Sequence, residues 1–180
     1  TAGNALFKRH LRRLYSFFST KTDGPVEDLI QETFLGCVKG RDRFEGKSSF
    51  RTYLFAIARN VLYQHYGSRE RSPDFTTASA VDLGASPSSA LAERGDRALL
   101  LGALRTIPLE FQVTLELAYW EALKGHEIAE VLGISPHTVR SRMTRGRAMV
   151  RERLESLPGA SLTPPQSEVD FDRWIAGLSR

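Results

Sequence analysis

The sequence has one cysteine, Cys37, which excludes an internal disulfide and a metal site built from cysteines. It contains no apolar run of about 18 residues, so we expect no membrane insertion. Residues 1–4 do not resemble the start of a secretory signal, and no convincing alternation of β-branched residues indicates a sheet. The absence of these features predicts an all-α protein of the cytoplasm that binds no cofactor. Cys37 lies on the apolar face of its predicted helix, and we expect it in the core.

The net charge of +4 is unevenly distributed along the chain. Residues 1–72 carry 13 Lys and Arg against 7 Asp and Glu, and residues 135–155 carry 6 Arg against 2 Glu. Two separate basic blocks indicate two contacts with a polyanion. Solubilising surface charge would give the same totals, so charge alone leaves both interpretations open.

Helical periodicity dominates the sequence and predicts two small helical units joined by a flexible linker. The linker prediction rests on residues 73–95, which are rich in Ser, Thr, Gly and Pro and contain few large apolar residues. The predicted domains are 1–72 and 96–157, followed by a tail at 158–180. The predicted helices are 5–20, 25–39, 50–66, 96–105, 108–123, 127–132, 136–154 and, within the tail, 168–178. Ser48 or Ser49 caps the third helix.

The segment Glu127–Arg147 has the spacing of a DNA-binding helix-turn-helix. Ala129 is small where two helices would cross, and Gly133 suits the positive φ of the turn. Val139 would pack back onto the first of the two helices. A generic helical hairpin is the alternative interpretation of this spacing.

A helical wheel of the second of these helices separates an apolar stripe from a basic face. The stripe consists of Val139, Met143, Gly146, Val150 and Leu154. On the opposite face, Arg140 and Arg145 suit guanine, Ser141 suits either kind of base, and the Thr144 methyl suits thymine. Arg142, Arg147 and Arg151 are predicted to contact phosphates. His137 and Ala148 complete this slim face, and a solvated charged face is the alternative.

The third predicted helix carries aromatic residues outside its core stripe, with cations between them. They are Phe55, Tyr63 and Tyr66, with Tyr53 at the border of the stripe, and Arg51, Arg59, Asn60 and Gln64 lie between them. Aromatic rings beside positive charge suit unstacked single-stranded bases. Burial of these rings in a core is the alternative.

Three stretches of the first unit closely resemble region 2 of bacterial RNA polymerase sigma factors of the extracytoplasmic-function (ECF) group. They are DLIQETFL at 28–35, FEG at 44–46 and FRTYLFAIARN at 50–60. Residues 104–154, which include the helix-turn-helix, resemble region 4 of the same proteins. The two resemblances occur in the family's order and cover about two thirds of the chain.

The resemblance implies a promoter-specificity subunit that directs transcription initiation, with core RNA polymerase and promoter DNA as partners. Many members of the group are also held by an anti-sigma factor, which makes such a protein an expected partner. The residues that match the family's polymerase-binding face are Asp28, Gln31, Glu32 and Leu35. Those that match its reader of the single-stranded −10 element are Arg43, Lys47, Tyr53, Arg59, Asn60 and Tyr63. Those that match its reader of the −35 duplex are Arg140, Ser141, Arg142, Thr144, Arg145 and Arg147.

Two other functions were weighed. An enzyme is disfavoured, because His126-Glu127 begins like a zinc-protease helix but position 130 holds Glu instead of the second His. A stand-alone helix-turn-helix regulator explains the second unit but not the first.

The tail lies outside the resemblance, and three roles for it stay open. It could dock on a domain and regulate access, bind a partner, or be a flexible end. An apolar stripe is predicted on its helix, formed by Val169, Phe171, Trp174, Ile175 and Leu178.

Overall fold

The computed structural model describes residues 2–67, 73–86, 95–157 and 162–178. Within these ranges the regular structure is helical, apart from one isolated β-bridge between Ser79 and Pro108. The predicted all-α class is confirmed. The α-helices of the described residues are α1 (Ala2–Ser19), α2 (Val26–Lys39), α3 (Phe50–Gly67), α4 (Asp96–Thr106), α5 (Leu109–Tyr119), α6 (Gly125–Leu132), α7 (Pro136–Ser156) and α8 (Glu168–Gly177).

The first helical group consists of α1, α2 and α3, with a 3-10 turn at Arg41–Arg43 before α3. Ser49, one of the two predicted caps, begins α3 by accepting a 3.1 Å hydrogen bond from the Thr52 backbone N–H. Cys37 is buried, and burial raises the pKa of its thiol to about 11, as suits a core residue. Large core side chains of this group are Leu14, Phe17, Phe18, Leu29, Ile30, Leu54, Phe55, Leu62 and Tyr66.

The second helical group consists of α4 to α8 and contains the predicted helix-turn-helix in α6 and α7. Gly133 ends α6 with a φ of 65°, the left-handed conformation that a tight turn requires. Ser135 then accepts a 3.1 Å hydrogen bond from the Thr138 backbone N–H, and Pro136 begins α7. Ala129 and Val139 are buried where the two helices meet.

The predicted end of α5 was wrong by four residues. The helix stops at Tyr119 instead of Leu123, because Ala122 has a φ of 51°, which a right-handed helix cannot contain. Leu123 is nevertheless buried, and its N–H donates to the Leu117 carbonyl at 3.0 Å. Sequence periodicity did not reveal the break because Leu123 continues the apolar pattern.

The two groups pack against each other, with α3 of the first lying against α6 of the second. A single hydrophobic cluster runs through both groups and includes Val61 and Leu62 of α3 together with Ile128 and Leu132 of α6. A second cluster lies within the second group, where α4, α5 and α7 meet α8.

Part of the predicted linker, residues 73–86, takes part in this packing. Ala80 and Ala85 are buried, and the Val81 N–H donates to the Arg105 carbonyl at 3.0 Å. The Leu109 N–H donates to the Ala78 carbonyl at 2.9 Å. The linker composition did not indicate these contacts, because small side chains and backbone groups make them. Residues 68–72 and 87–94 lie outside the described residues, as do 158–161 of the tail.

Polar side chains are also buried between the two groups. Arg105 of α4 donates to the Thr20 carbonyl at 3.0 Å and to the Ser19 carbonyl at 2.7 Å. Gln112 of α5 donates to the same Thr20 carbonyl at 3.1 Å. The carbonyls at the C-terminal end of α1 are therefore satisfied by side chains of the second group, which fixes the orientation of one group on the other.

Candidate nucleic-acid interface

The exposed face of α7 carries the residues that the helical wheel assigned to bases. His137, Arg140, Ser141, Thr144 and Arg145 are all exposed. The stripe on the other side is buried or partly buried, so the wheel correctly separated the two faces. The αL turn at Gly133 and the Ser135 cap set the angle at which α7 leaves α6. They therefore set the direction in which the exposed face points.

Two arginines of α7 that were assigned to phosphates, Arg142 and Arg147, contact other side chains of the protein and are not fully exposed to solvent. Arg142 Nη2 lies 3.0 Å from Glu110 Oε2 of α5, and the two side chains are only 17% and 14% exposed. Arg147 Nη1 lies 3.3 Å from the Tyr119 hydroxyl and 3.6 Å from Asp172 Oδ1. The sequence did not identify Glu110 and Asp172 as partners, since both are distant from α7 along the chain.

An aromatic and cationic cluster lies near the C-terminal end of α3. The Arg59 guanidinium lies 4.3 Å from the centroid of the Tyr63 ring. Arg59 Nη1 donates to Asn60 Oδ1 at 3.2 Å. Phe75 stacks on Tyr63 with a centroid distance of 4.2 Å. The structure therefore brings three of the predicted single-strand residues together, and it adds Phe75, which sequence analysis did not select.

The remaining residues of the predicted single-strand site lie at the other end of α3. Arg43 and Lys47 are exposed, and the Lys47 ammonium pairs with the Glu45 carboxylate. Tyr53 is partly buried, with its ring centroid 4.8 Å from that of Phe44. Tyr53 therefore packs against other residues of the protein, in addition to its predicted role in binding a single strand.

A second exposed surface lies on α2 and α1. Asp28, Gln31, Glu32 and Leu35 are all exposed, with 56% of Leu35 accessible to water. This surface therefore combines carboxylates with an exposed leucine. Other large apolar residues exposed on the same two helices are Phe7, Leu11, Tyr15 and Val38. The family resemblance did not mark these four residues.

Neither a metal site nor a membrane span is found in the described part of the chain. No three His, Cys, Asp or Glu side chains of these residues stand close enough together to hold a metal ion. Of the helices described, none has both the length and the apolar character needed to cross a membrane.

Comparison with known proteins places both helical groups in one family. The family model of sigma-70 region 2 matches residues 6–72, and that of sigma-70 region 4 matches residues 97–158. The chain is 32% identical to the RNA polymerase sigma factor CarQ of Myxococcus xanthus over 157 residues, covering 84% of this chain and 88% of CarQ. It is 25% identical to the ECF RNA polymerase sigma-E factor of Escherichia coli K12 over 168 residues, covering 87% and 88%.

Two solved structures share the fold. One is the sigma factor RpoE in complex with the anti-sigma factor NepR from Bartonella quintana, with a TM-score of 0.63, 20% identity and coverage of 85% of this chain and 96% of that one. The other is CnrH in complex with the cytosolic domain of CnrY, with a TM-score of 0.63, 23% identity and coverage of 86% and 88%. Because both sigma-70 regions match in order and CarQ is similar over most of its length, this chain belongs to the ECF group of RNA polymerase sigma factors.

Proposed function

We propose that this chain directs transcription initiation by carrying core RNA polymerase to promoters whose −35 and −10 elements it recognises. The observation that carries the proposal is the exposed basic face of α7, presented by a helix-turn-helix in a chain whose first group carries the sigma region 2 match. The chain itself makes and breaks no bond in this proposal, and polymerase supplies the chemistry. The place of action is the cytoplasm.

In the proposed complex, α7 enters the major groove of the −35 duplex. Arg140 and Arg145 donate to guanine O6 and N7, Ser141 bonds a base edge, and the Thr144 methyl contacts thymine. All four side chains are exposed, so they reach DNA without breaking a contact in the core. Arg142 and Arg147 contact phosphates after exchanging Glu110 and Asp172 for the DNA backbone.

The −10 element is bound as a single strand by the first helical group. Asn60 is exposed beside the Arg59–Tyr63 pair, where its carboxamide can bond the Watson–Crick edge of an extruded base. Arg43 and Lys47 of the loop before α3 neutralise the strand backbone, and Tyr53 borders the site. Phe75 now covers one face of Tyr63, so a base that stacks on this face takes the place of Phe75.

Binding both elements at once requires the two helical groups to separate. The −35 and −10 positions are about 25 base pairs apart, which corresponds to about 85 Å of duplex at 3.4 Å per base pair. A compact chain of this length has a diameter of about 40 Å. With α3 packed on α6, the two DNA-binding faces therefore lie too close together, and the packed arrangement is the state before promoter binding.

The polymerase-binding face is the exposed surface of α2 formed by Asp28, Gln31, Glu32 and Leu35. Carboxylates there suit a basic partner surface and contribute specificity and association rate. A stand-alone DNA-binding regulator would have no use for this surface or for the region 2 match. An anti-sigma factor is a further proposed partner, supported by the sigma factor RpoE, a protein of the same fold that was solved with the anti-sigma factor NepR.

Run-off transcription with core polymerase and a randomised promoter library tests the proposal. We expect specific transcripts that depend on the chain, from promoters that share a −35 and a −10 sequence. Glu32→Lys is expected to abolish retention of the chain on immobilised core polymerase. Glu155→Lys makes the same charge change at an exposed site on α7 and should retain binding. Absence of chain-dependent transcripts, or binding by Glu32→Lys, would contradict the proposal.

A further inference from the structure

The tail helix α8 lies beyond the family match, which ends at residue 158, and it packs in one cluster with α4, α5 and α7, the last of which carries the proposed −35 reader. Phe171 and Ile175 are 0% and 2% exposed, and they belong to the cluster formed with α4, α5 and α7. The Trp120 indole N–H of the second group donates to the Ile175 carbonyl at 3.0 Å. Of the three roles left open for the tail, docking on a domain is therefore the one that the structure shows.

A polar contact made by α8 holds Arg147. Asp172 accepts a hydrogen bond from the Tyr119 hydroxyl and lies 3.6 Å from Arg147 Nη1. The Arg147 side chain is only 15% exposed, although Arg147 was assigned to a phosphate. Its guanidinium is therefore turned towards a carboxylate of the same chain.

A second contact covers Arg151 on the next turn of α7. The Arg151 guanidinium lies 4.2 Å from the centroid of the Phe171 ring, and its Nη2 donates to the Ser167 carbonyl at 3.4 Å. Among the described residues, the Nε atoms of Arg147 and Arg151 are buried and have no hydrogen-bond partner. The contacts with α8 thus leave part of each guanidinium unsatisfied, whereas a phosphate can accept two parallel hydrogen bonds from one guanidinium.

The covered arginines share a side of α7 with exposed base-reading residues. At 100° per residue, Arg140, Thr144, Arg147 and Arg151 fall within about 60° of one another around the helix axis. Arg140 and Thr144, in the first half of α7, are exposed. The α8 helix therefore leaves the base-reading half of this side open and covers the half that would meet the DNA backbone.

We propose that α8 is an autoinhibitory latch that withholds Arg147 and Arg151 from DNA phosphates until α8 is displaced from α7. This inference rests on the proposed −35 role of α7. Phosphate contacts position a protein without selecting sequence. The latch therefore lowers affinity for every duplex alike and leaves base preference unchanged. Its release adds phosphate contacts and makes binding more dependent on salt, by about 0.9 in the logarithmic slope for each contact.

The test uses the full chain assembled with core polymerase and duplexes that carry either the selected −35 element or a scrambled one. Asp172→Asn removes the charge that holds Arg147. Asp170→Asn is the matched control, because it makes the same charge change on α8 at a carboxylate whose partners, Ser167 and Arg173, belong to the tail itself. Dissociation constants are measured by fluorescence anisotropy over a salt series.

Relative to the control, we expect Asp172→Asn to bind both duplexes roughly two- to fivefold more tightly, the range that a partly exposed ion pair contributes, and with a steeper salt slope. The gain should vanish in an Arg147→Ala background, because the freed arginine is then absent. Equal affinities of Asp172→Asn and Asp170→Asn, or a gain that persists without Arg147, would overturn the latch. Loss of −35 preference in every variant, the wild type included, would overturn the proposed function and the latch with it.

Hydrogen exchange provides a second measurement that does not depend on a substitution. In the wild-type complex, the α8 amides should exchange faster once the −35 duplex binds, because displacement of the latch opens the helix to solvent. Exchange that is unchanged or slower would show that α8 stays docked on DNA-bound α7, and the proposal would be wrong.

Discussion

Lys21 and Glu116 form an ion pair that connects the first helical group to α5, with side chains that are only 0% and 4% exposed. The Lys21 ammonium also donates to the Phe17 carbonyl at 2.7 Å, and Gln112 donates to the second Glu116 oxygen at 3.0 Å. Burial lowers the pKa of Lys21, and the Glu116 carboxylate opposes that shift. The pair is thus deeply buried in the contact between the two groups.

Replacing only one member of this pair should destabilise the packed arrangement strongly. Lys21→Met leaves the Glu116 charge buried without its partner, and we expect a loss of about 3–5 kcal/mol in the free energy of unfolding by urea. Adding Glu116→Gln removes the charge and keeps an acceptor for Gln112, so the double variant should recover much of the loss. Arg173→Met, at an exposed ion pair, should cost less than about 1 kcal/mol. A double variant no more stable than Lys21→Met would contradict this account of the pair.

Stability should fall as the pH rises through the titration of Glu121. Burial raises the pKa of this carboxyl to about 7 from an ordinary 4.5, although Arg13, Arg51 and Lys21 act against the shift. Between these pH values the folded state keeps a proton that the unfolded state has lost. The free energy of unfolding therefore decreases with rising pH, by up to about 3 kcal/mol in total.

The measurement is urea unfolding at a series of pH values from about 4 to about 8, a range that brackets the ordinary and the raised pKa of Glu121. Glu121→Gln should flatten the curve between about pH 4.5 and 7, because its side chain does not titrate. Glu130→Gln, at an exposed glutamate of α6, should keep the wild-type curve. A curve for Glu121→Gln that parallels the wild type would show that Glu121 does not titrate in this range.

Arg145→Ala should weaken binding to the cognate −35 duplex by about 1–3 kcal/mol and relax the preference at one base pair. The guanidinium is exposed, so the substitution should leave the melting temperature nearly unchanged. Competition binding with single-base variants of the duplex measures the change. Arg153→Ala is the control, because Arg153 is exposed on α7 but lies towards its buried stripe on the helical wheel. Equal weakening by Arg145→Ala on every sequence would assign Arg145 to phosphates.

Asn60→Ala should impair promoter opening while sparing binding to the −35 duplex, because Asn60 is assigned to an extruded base and not to the duplex. A fluorescent base analogue in the −10 element reports its unstacking in the presence of core polymerase. Asn4→Ala, at an exposed asparagine in the first turn of α1, serves as the control. Opening at the wild-type rate by Asn60→Ala would remove Asn60 from the proposed pocket.

Features that depend on residues close together along the chain were predictable from the sequence. Ser49, Gly133 and Ser135 mark helix ends because their caps and turns form within a few residues along the chain. The period of 3.6 residues separated the exposed face of α7 from its buried stripe, since only the helix is needed to place side chains around its axis. The apolar pattern did not show the end of α5, because that end depends on the backbone φ of Ala122.

Which of the predicted binding residues are exposed depends on how the helices pack together. Arg140 and Arg145 project from α7 into solvent, whereas Arg142 meets Glu110 and Arg147 meets Asp172. Partners of this kind lie far away along the chain, and helix periodicity does not encode which helices pack together. The stacking of Phe75 on Tyr63 and the burial of Lys21 against Glu116 arise in the same way, because each requires separate elements to meet.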